Sequence, residues 1–307
     1  MKSILSQLLG GAWKSSPQPI NLRDNANLDV VLPWALAKAA PPPRFPTAYV
    51  EFLRSCLESQ SFPITTVKRN RKGGDTESAK RFASLLGALA NLPPLEFAWA
   101  ETLAQIADAY LGNPSPMGSS GWAGDVRAHF EMTSSFGHKG RILASIIRFM
   151  RCRHCLELGT AYGMSALFML EALSVQGPDT RLTTVEGSEL QYRIAAGLLE
   201  SRYRDRVVCE YGWTSQVLPR LAKTLGPVDF IFHDAGHSKK DYVNDFQAVL
   251  PLLAPGAVVL FDDINWNDPR FAANNPECRK GWLEVAAHVR VRWAVEIRRD
   301  MGLVLLN

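Results

Sequence analysis

The sequence predicts an α/β fold. It reads as a Rossmann-like parallel sheet that ends in an antiparallel hairpin, preceded by a helical N-terminal region. Three observations predict it. From residue 153 onward, short apolar runs alternate with longer amphipathic segments, the signature of strand–helix units building a parallel sheet covered on both faces. The last two apolar runs, near 289–298 and 302–306, are joined only by Arg299-Asp300-Met301. That link is too short for a crossover, so these strands must be antiparallel. Residues from about 28 to 150 carry helical rather than alternating periodicity, with no strong strand signal.

The elements follow in order. Leu95, Trp99, Leu103, Ile106 and Tyr110 recur at helical spacing, and Gly112-Asn113-Pro114 stops that helix. The stretch 112–124, rich in Gly, Ser and Pro, reads as a linker. Residues 1–120 are thus expected to form a helical region, and 121–307 the α/β domain. Ile142, Leu143, Ile146, Ile147 and Met150 mark the helix that opens this domain. Strands are predicted at 154–158, 181–186, 207–211, 228–234 and 257–261. Helices are predicted at 165–173, 189–199, 216–223, 241–253 and 281–288.

Composition bounds the function classes. The 307 residues are 47% hydrophobic and 21% charged, with a formal net charge of +4. That balance lacks the concentrated basic charge of a dedicated nucleic-acid binder. The basic run Lys68-Arg69-Asn70-Arg71-Lys72 is expected to be a solvated loop. Five cysteines in a chain of this size argue against a disulfide framework and for a reducing, cytoplasmic compartment. Cys152 and Cys155 have C-x-x-C spacing but lead into an apolar strand, so they read as structural thiols. No run of 18 apolar residues predicts a transmembrane helix, and no signal-peptide pattern opens the chain.

The first strand of the α/β domain ends in Glu157-Leu158-Gly159-Thr160-Ala161-Tyr162-Gly163-Met164-Ser165. Gly159 and Gly163 let the backbone turn tightly and approach a ligand closely. With Ala161 at the middle position, the loop is not a dinucleotide fingerprint. With no Gly-Lys-Ser/Thr, it is not a phosphate loop. A phosphate-free nucleoside fits it better. Glu186 ends the next strand, where a carboxylate accepts hydrogen bonds from ribose hydroxyls. Gly212, Trp213 and Thr214 follow the third strand, where an adenine ring can pack.

A second constellation is acidic. Asp234 ends one strand, and Asp262 and Asp263 end the next. Side by side in a parallel sheet, the three carboxylates would raise each other's pKa. A divalent cation such as Mg²⁺, which takes oxygen ligands, would relieve that repulsion. Strand-end aspartates also cap loops and helices, and Asp263 is open to that reading. His237 stands three residues after Asp234 and is suited to take a hydroxyl proton. His233 lies inside the strand pattern and is expected to pack in the core or against a helix.

These residues carry a resemblance. Glu157-Leu158-Gly159 followed by Gly163-Met164-Ser165, with Gly137-His138-Lys139-Gly140-Arg141-Ile142-Leu143 upstream, resembles the cofactor region of catechol O-methyltransferases. The likeness runs from about residue 134 to the C-terminus. It implies a class I methyltransferase sheet, S-adenosyl-L-methionine as cofactor, and Ser135 beside the methionine part of that cofactor. The catechol enzymes carry Asn where this chain has Asp263, and Lys where it has His237. Asp234, His237, Asp262 and Asp263 instead resemble the macrolide-sugar O-methyltransferases. That likeness implies Asp234, Asp262 and Asp263 as metal ligands and His237 as base.

The expected partner is a small-molecule acceptor bearing a hydroxyl, rather than nucleic acid or a membrane. The N-terminal helical region is open to a lid or homo-oligomer role. Trp266, Arg270, Phe271 and Trp282 are candidates for a substrate lid. An amine or peptide acceptor, or a non-catalytic binding subunit with the same fold, stands as the alternative.

Overall fold

The computed structural model describes residues 61–70, 76–92, 138–265 and 277–307. Within them lies one eight-stranded mixed sheet, β1 Ile64–Arg69, β2 His154–Leu158, β3 Arg181–Glu186, β4 Val207–Tyr211, β5 Val228–His233, β6 Leu253–Phe261, β7 Val291–Ile297 and β8 Met301–Leu306, ordered β1-β7-β8-β6-β5-β2-β3-β4. Strands β4-β3-β2-β5-β6 run parallel to their neighbours. β8 pairs antiparallel with both β6 and β7. The hairpin turns through Arg298 and Arg299 at φ +57° and +67°, closed by the Asp300 amide donating to Ile297 O at 3.3 Å.

The helices are α1 Glu77–Leu89, α2 His138–Met150, α3 Met164–Ser174, α4 Glu189–Tyr203, α5 Thr214–Thr224, α6 Lys239–Val249 and α7 Glu277–Ala287. They cover both faces of the sheet. Alternate side chains of each strand point to opposite faces, and the two cores divide accordingly. Phe230, Phe232, Val258 and Leu260 pack with helices α1 to α4. Ile231, Val259 and Phe261 pack with α5 to α7. Close helix contacts are bought with small residues: a Cβ on Gly140 of α2 would lie 2.3 Å from the Phe168 ring of α3.

Strand β1 corrects the expectation that the N-terminal half holds no strand. It pairs antiparallel with β7 at the sheet edge. Most of β1 is exposed, so it shows no alternation of apolar and polar residues. Its signal was the β-branched run Ile64-Thr65-Thr66-Val67. The basic run is corrected with it. Lys68 and Arg69 belong to the strand rather than to a solvated loop. The Lys68 ammonium donates to Ala287 O at 3.3 Å and His288 O at 2.7 Å, meeting the carbonyl end of α7. The Arg69 guanidinium lies 4.5 Å from the centre of the Trp293 ring.

Helix α1 is capped by the Thr76 side chain, which accepts from the Ala79 amide at 3.2 Å. It buries Ala79, Phe82, Leu85 and Leu89. The predicted helix at 95–110 and linker at 112–124 lie outside the described residues.

Cys152, Cys155, Cys209 and Cys278 are free thiols, three of them buried. Among the described residues no helix is long and apolar enough to cross a membrane.

Candidate functional site

The sheet order reverses at β2. Its chain successor β3 lies on one side and β5 on the other. Such a switch point opens a crevice at the carboxyl ends of the strands. There the loop after β2 meets the loop after β5. The Asp234 amide donates to Leu158 O at 2.8 Å. Gly159 lies at φ +92°, and a Cβ on it would fall 2.2 Å from Asp234 O. Only glycine fits both the backbone angle and the approach.

Ala161 takes φ +46° and Gly163 φ +89°. The loop therefore holds three left-handed residues in five positions, one of them an alanine. Its amides point inward: Gly159 N and Thr160 N both donate to Val185 O, at 2.9 and 3.2 Å. Ala161 N donates to Glu186 Oε2 at 2.7 Å. Gly163 then caps α3, and Ser165 is buried in its first turn.

Glu186 is fixed from two sides, since its Oε1 also accepts from Ser188 N at 2.7 Å. Burial pushes its carboxyl above the ordinary range, and the backbone donors oppose this. Each carboxylate oxygen has a second lone pair, so the position suits paired hydroxyls. Gly212 N donates to Glu186 O at 2.9 Å and ties β4 to the same rim. Trp213 follows, 66% exposed. Its indole sits so close to Gly187 that a Cβ there would lie 2.8 Å from it. An exposed aromatic beside the ribose-type carboxylate offers a face for a purine ring. Thr214 begins α5.

Glu157 is wholly buried. Its Oε2 accepts from Thr184 Oγ1 at 2.5 Å, while Oε1 has no hydrogen-bond partner. Burial pushes this carboxyl up to about 7, against the Ser165 and Thr184 hydrogen bonds that draw it down. A buried acceptor left open at a ligand crevice is suited to a cationic donor from that ligand.

The acidic cluster forms at the ends of β5 and β6. Asp234, His237 and Asp263 present donor atoms all within 4.8 Å of one another. His237 Nε2 is 3.2 Å from Asp263 Oδ2. Asp263 takes φ +53°, a conformation that Asp tolerates better than most residues. Asp262 stands apart from that trio. Its Oδ1 accepts from the Asp263 amide at 3.0 Å, and its Oδ2 meets the Lys139 ammonium at 2.6 Å. Lys139 is also 3.5 Å from Asp263 Oδ1.

The charges act on each other as the distances require. Burial pushes Asp234 well up, and Asp262 adds to it. Burial also lifts Asp262, and Lys139 draws it only part of the way back. For Asp263, burial is outweighed by the His237 hydrogen bond and the Lys139 charge, which hold it below the ordinary range. Burial would lower Lys139, but Asp262, Asp234 and Asp263 overcome this and keep it protonated.

The residues predicted from the sequence thus gather at one rim: Glu157, Gly159, Gly163, Ser165, Glu186, Gly212, Trp213 and Thr214 around the crevice, and Asp234, His237, Asp262 and Asp263 beside it. Ser135, Trp266, Arg270 and Phe271 lie outside the described residues. Trp282 is fully buried and donates to Glu296 Oε1 at 3.0 Å, so it packs α7 and lines no lid. His233 packs against a helix as expected, with Nε2 3.1 Å from Asp245 of α6.

Lys139 is the residue that sequence reasoning missed. It lies in the Gly-His-Lys-Gly motif, but its partner is 123 positions away. Two supports were equally hidden. Tyr242 donates from its hydroxyl to Asp262 O at 2.5 Å, and Cys278 donates from Sγ to His237 O at 3.1 Å.

Residues 156–264 match the family model described as a methyltransferase domain. The chain is 30% identical over 129 residues to a catechol O-methyltransferase of Niastella koreensis, covering 41% of this chain and 56% of that protein. It is 27% identical over 158 residues to a catechol O-methyltransferase of Mycobacterium tuberculosis, covering 51% and 69%. The chain therefore spans little more than half the length of the first of these relatives. Among solved structures, it is similar to the O-methyltransferase from Bacillus cereus in complex with SAH. The TM-score is 0.52 at 22% identity, covering 73% of this chain and 97% of that one. That likeness is one of fold.

Proposed function

We propose that this protein is an S-adenosyl-L-methionine-dependent O-methyltransferase acting on a hydroxyl of a small molecule of natural-product type, with a divalent cation assisting and His237 as base. One observation carries the reading. The cofactor-type crevice, lined by Glu157, Gly159 and Glu186, adjoins the Asp234/His237/Asp263 trio through the contact of Gly159 with Asp234 O. Methyl donor and hydroxyl activation would then share one rim. The matched methyltransferase segment ends at residue 264 and so includes all four cluster residues.

The donor set fits a hard or borderline divalent cation held by a few carboxylates with water and substrate completing its shell. When bound, the cation would supply Lewis acidity toward the acceptor hydroxyl, and the cofactor an electrophilic methyl group. The chain's own residues do the rest. Glu186 and the close-approaching glycine loop after β2 orient the nucleoside. Trp213 supplies an aromatic wall. Asp263, 3.2 Å from Nε2 of His237, fixes the imidazole plane. His237 takes the hydroxyl proton. Positioning of the acceptor oxygen in line with the methyl supplies much of the rate.

Calorimetry with S-adenosyl-L-methionine, with and without Mg²⁺, tests the first half of this reading. Micromolar binding is the expected result, and no binding under either condition overturns it. For the base, His237→Ala should keep cofactor affinity and lower turnover by about 10²- to 10⁴-fold. Near-native turnover removes His237 from that role.

A further inference from the structure

Three carboxylates, Asp234, Asp262 and Asp263, gather at one small rim, where like charges repel. The chain already places a positive charge there. The Lys139 ammonium, from the first turn of α2, lies 2.6 Å from Asp262 Oδ2 and 3.5 Å from Asp263 Oδ1. The Asp262 side chain is 1% exposed, and its other oxygen is held by the Asp263 amide. Both oxygens of Asp262 are therefore engaged, and Asp263 is shared between Lys139 and the trio with Asp234 and His237.

We propose that Lys139 is a resident counter-cation which competes with the divalent cation for Asp262 and Asp263, so that loading the site requires the ammonium to withdraw. This rests on the cation in the proposed function. An ammonium is a compact point charge on a flexible four-carbon stem. It can neutralise a carboxylate and leave it without rebuilding the backbone. The Lys139 side chain is 23% exposed, so its path toward solvent is not closed by packing. With the ammonium in place, an incoming cation meets a like charge and finds Asp262 already satisfied. With the ammonium withdrawn, the third carboxylate joins Asp234 and Asp263. Lys139 is in this sense a positioning residue. It sets which carboxylates the site offers and how tightly it takes its ion.

The test uses Mn²⁺ as probe, on the full chain. Calorimetric titration of the native protein and of Lys139→Met should show Mn²⁺ binding tightened on the order of tenfold or more in the variant, because a repelling charge at close range is removed. Equal or weaker binding overturns the proposal. A second measurement needs no variant. Acetic anhydride labelling, read by mass spectrometry, should rise severalfold at Lys139 when Mn²⁺ saturates the native protein, with exposed Lys223 as the internal reference. Unchanged labelling of Lys139 overturns the proposal even if Lys139→Met fails to fold. The two readings fail differently. Equal Mn²⁺ affinity in both proteins removes only the competition, whereas no Mn²⁺ binding by either removes the cation from the proposed function as well.

Discussion

Gly159 joins the two halves of the site in a single residue. At φ +92°, with Asp234 O 2.2 Å from where a Cβ would stand, it accepts no side chain without moving the β5 loop. Gly159→Ala should cost about 2 kcal/mol or more of stability and abolish cofactor binding, as thermal unfolding and calorimetry would read. Glu157 makes a second residue-level claim. Its carboxyl ordinarily titrates at 4.5 but is pushed up to about 7 by burial. The folded state therefore binds its proton more tightly than the unfolded state. The associated stability is full below 4.5 and is lost as pH rises through 7. Glu157→Gln removes that loss. The stability of the variant relative to the native protein, read by denaturant unfolding, should climb between pH 5 and pH 8 by an amount on the order of 2 kcal/mol. A flat difference would refute the assignment.

At the level of elements, helix α6 opens with a capping box. Ser238 Oγ accepts from Asp241 N at 3.2 Å, and Asp241 Oδ2 accepts from Ser238 N at 3.0 Å. This box holds the end of the loop that carries His237. Ser238→Ala should cost about 1 kcal/mol. It should also lower kcat more than it weakens cofactor binding, because the cofactor-side loops are fastened elsewhere. A loss of cofactor affinity equal to the loss of kcat would show that the loops are not independent. The contact of Cys278 with His237 O and of Tyr242 with Asp262 O fastens the same region from α7 and α6. Two helices outside the acidic cluster thus hold the loops that carry His237 and Asp262.

At the scale of the whole molecule, helix α1, from the described part of the N-terminal region, belongs to the core of the sheet. Phe82 of α1 is fully buried and meets Trp293 of β7 edge-on, with ring centres 5.6 Å apart. It shares one apolar cluster with α2, α3 and the sheet. Phe82→Ala should therefore cost about 3–5 kcal/mol and lower a single unfolding transition. A separate low-temperature transition would show that α1 and β1 fold apart from the sheet.

The sequence by itself determined the periodic part of this protein. The parallel strands are short, mostly apolar runs alternating with helices, and β3 and β4 begin and end where the pattern predicted. The strand-end residues Glu157, Glu186, Asp234, His237, Asp262 and Asp263 were legible for the same reason. Parallel connectivity brings consecutive strand ends to one rim whatever the details of packing. What only the tertiary structure decided is non-periodic or long-range. Strand β1 is an exposed edge whose stability comes from pairing with β7, more than 220 positions away. Trp282 went into the core because Glu296 awaited its indole N–H. Lys139 joined the acidic cluster because helix α2 delivers its ammonium to Asp262. Charge placed from a distant segment leaves no local pattern in the chain; it is fixed only when the carboxylates have no better partner within reach.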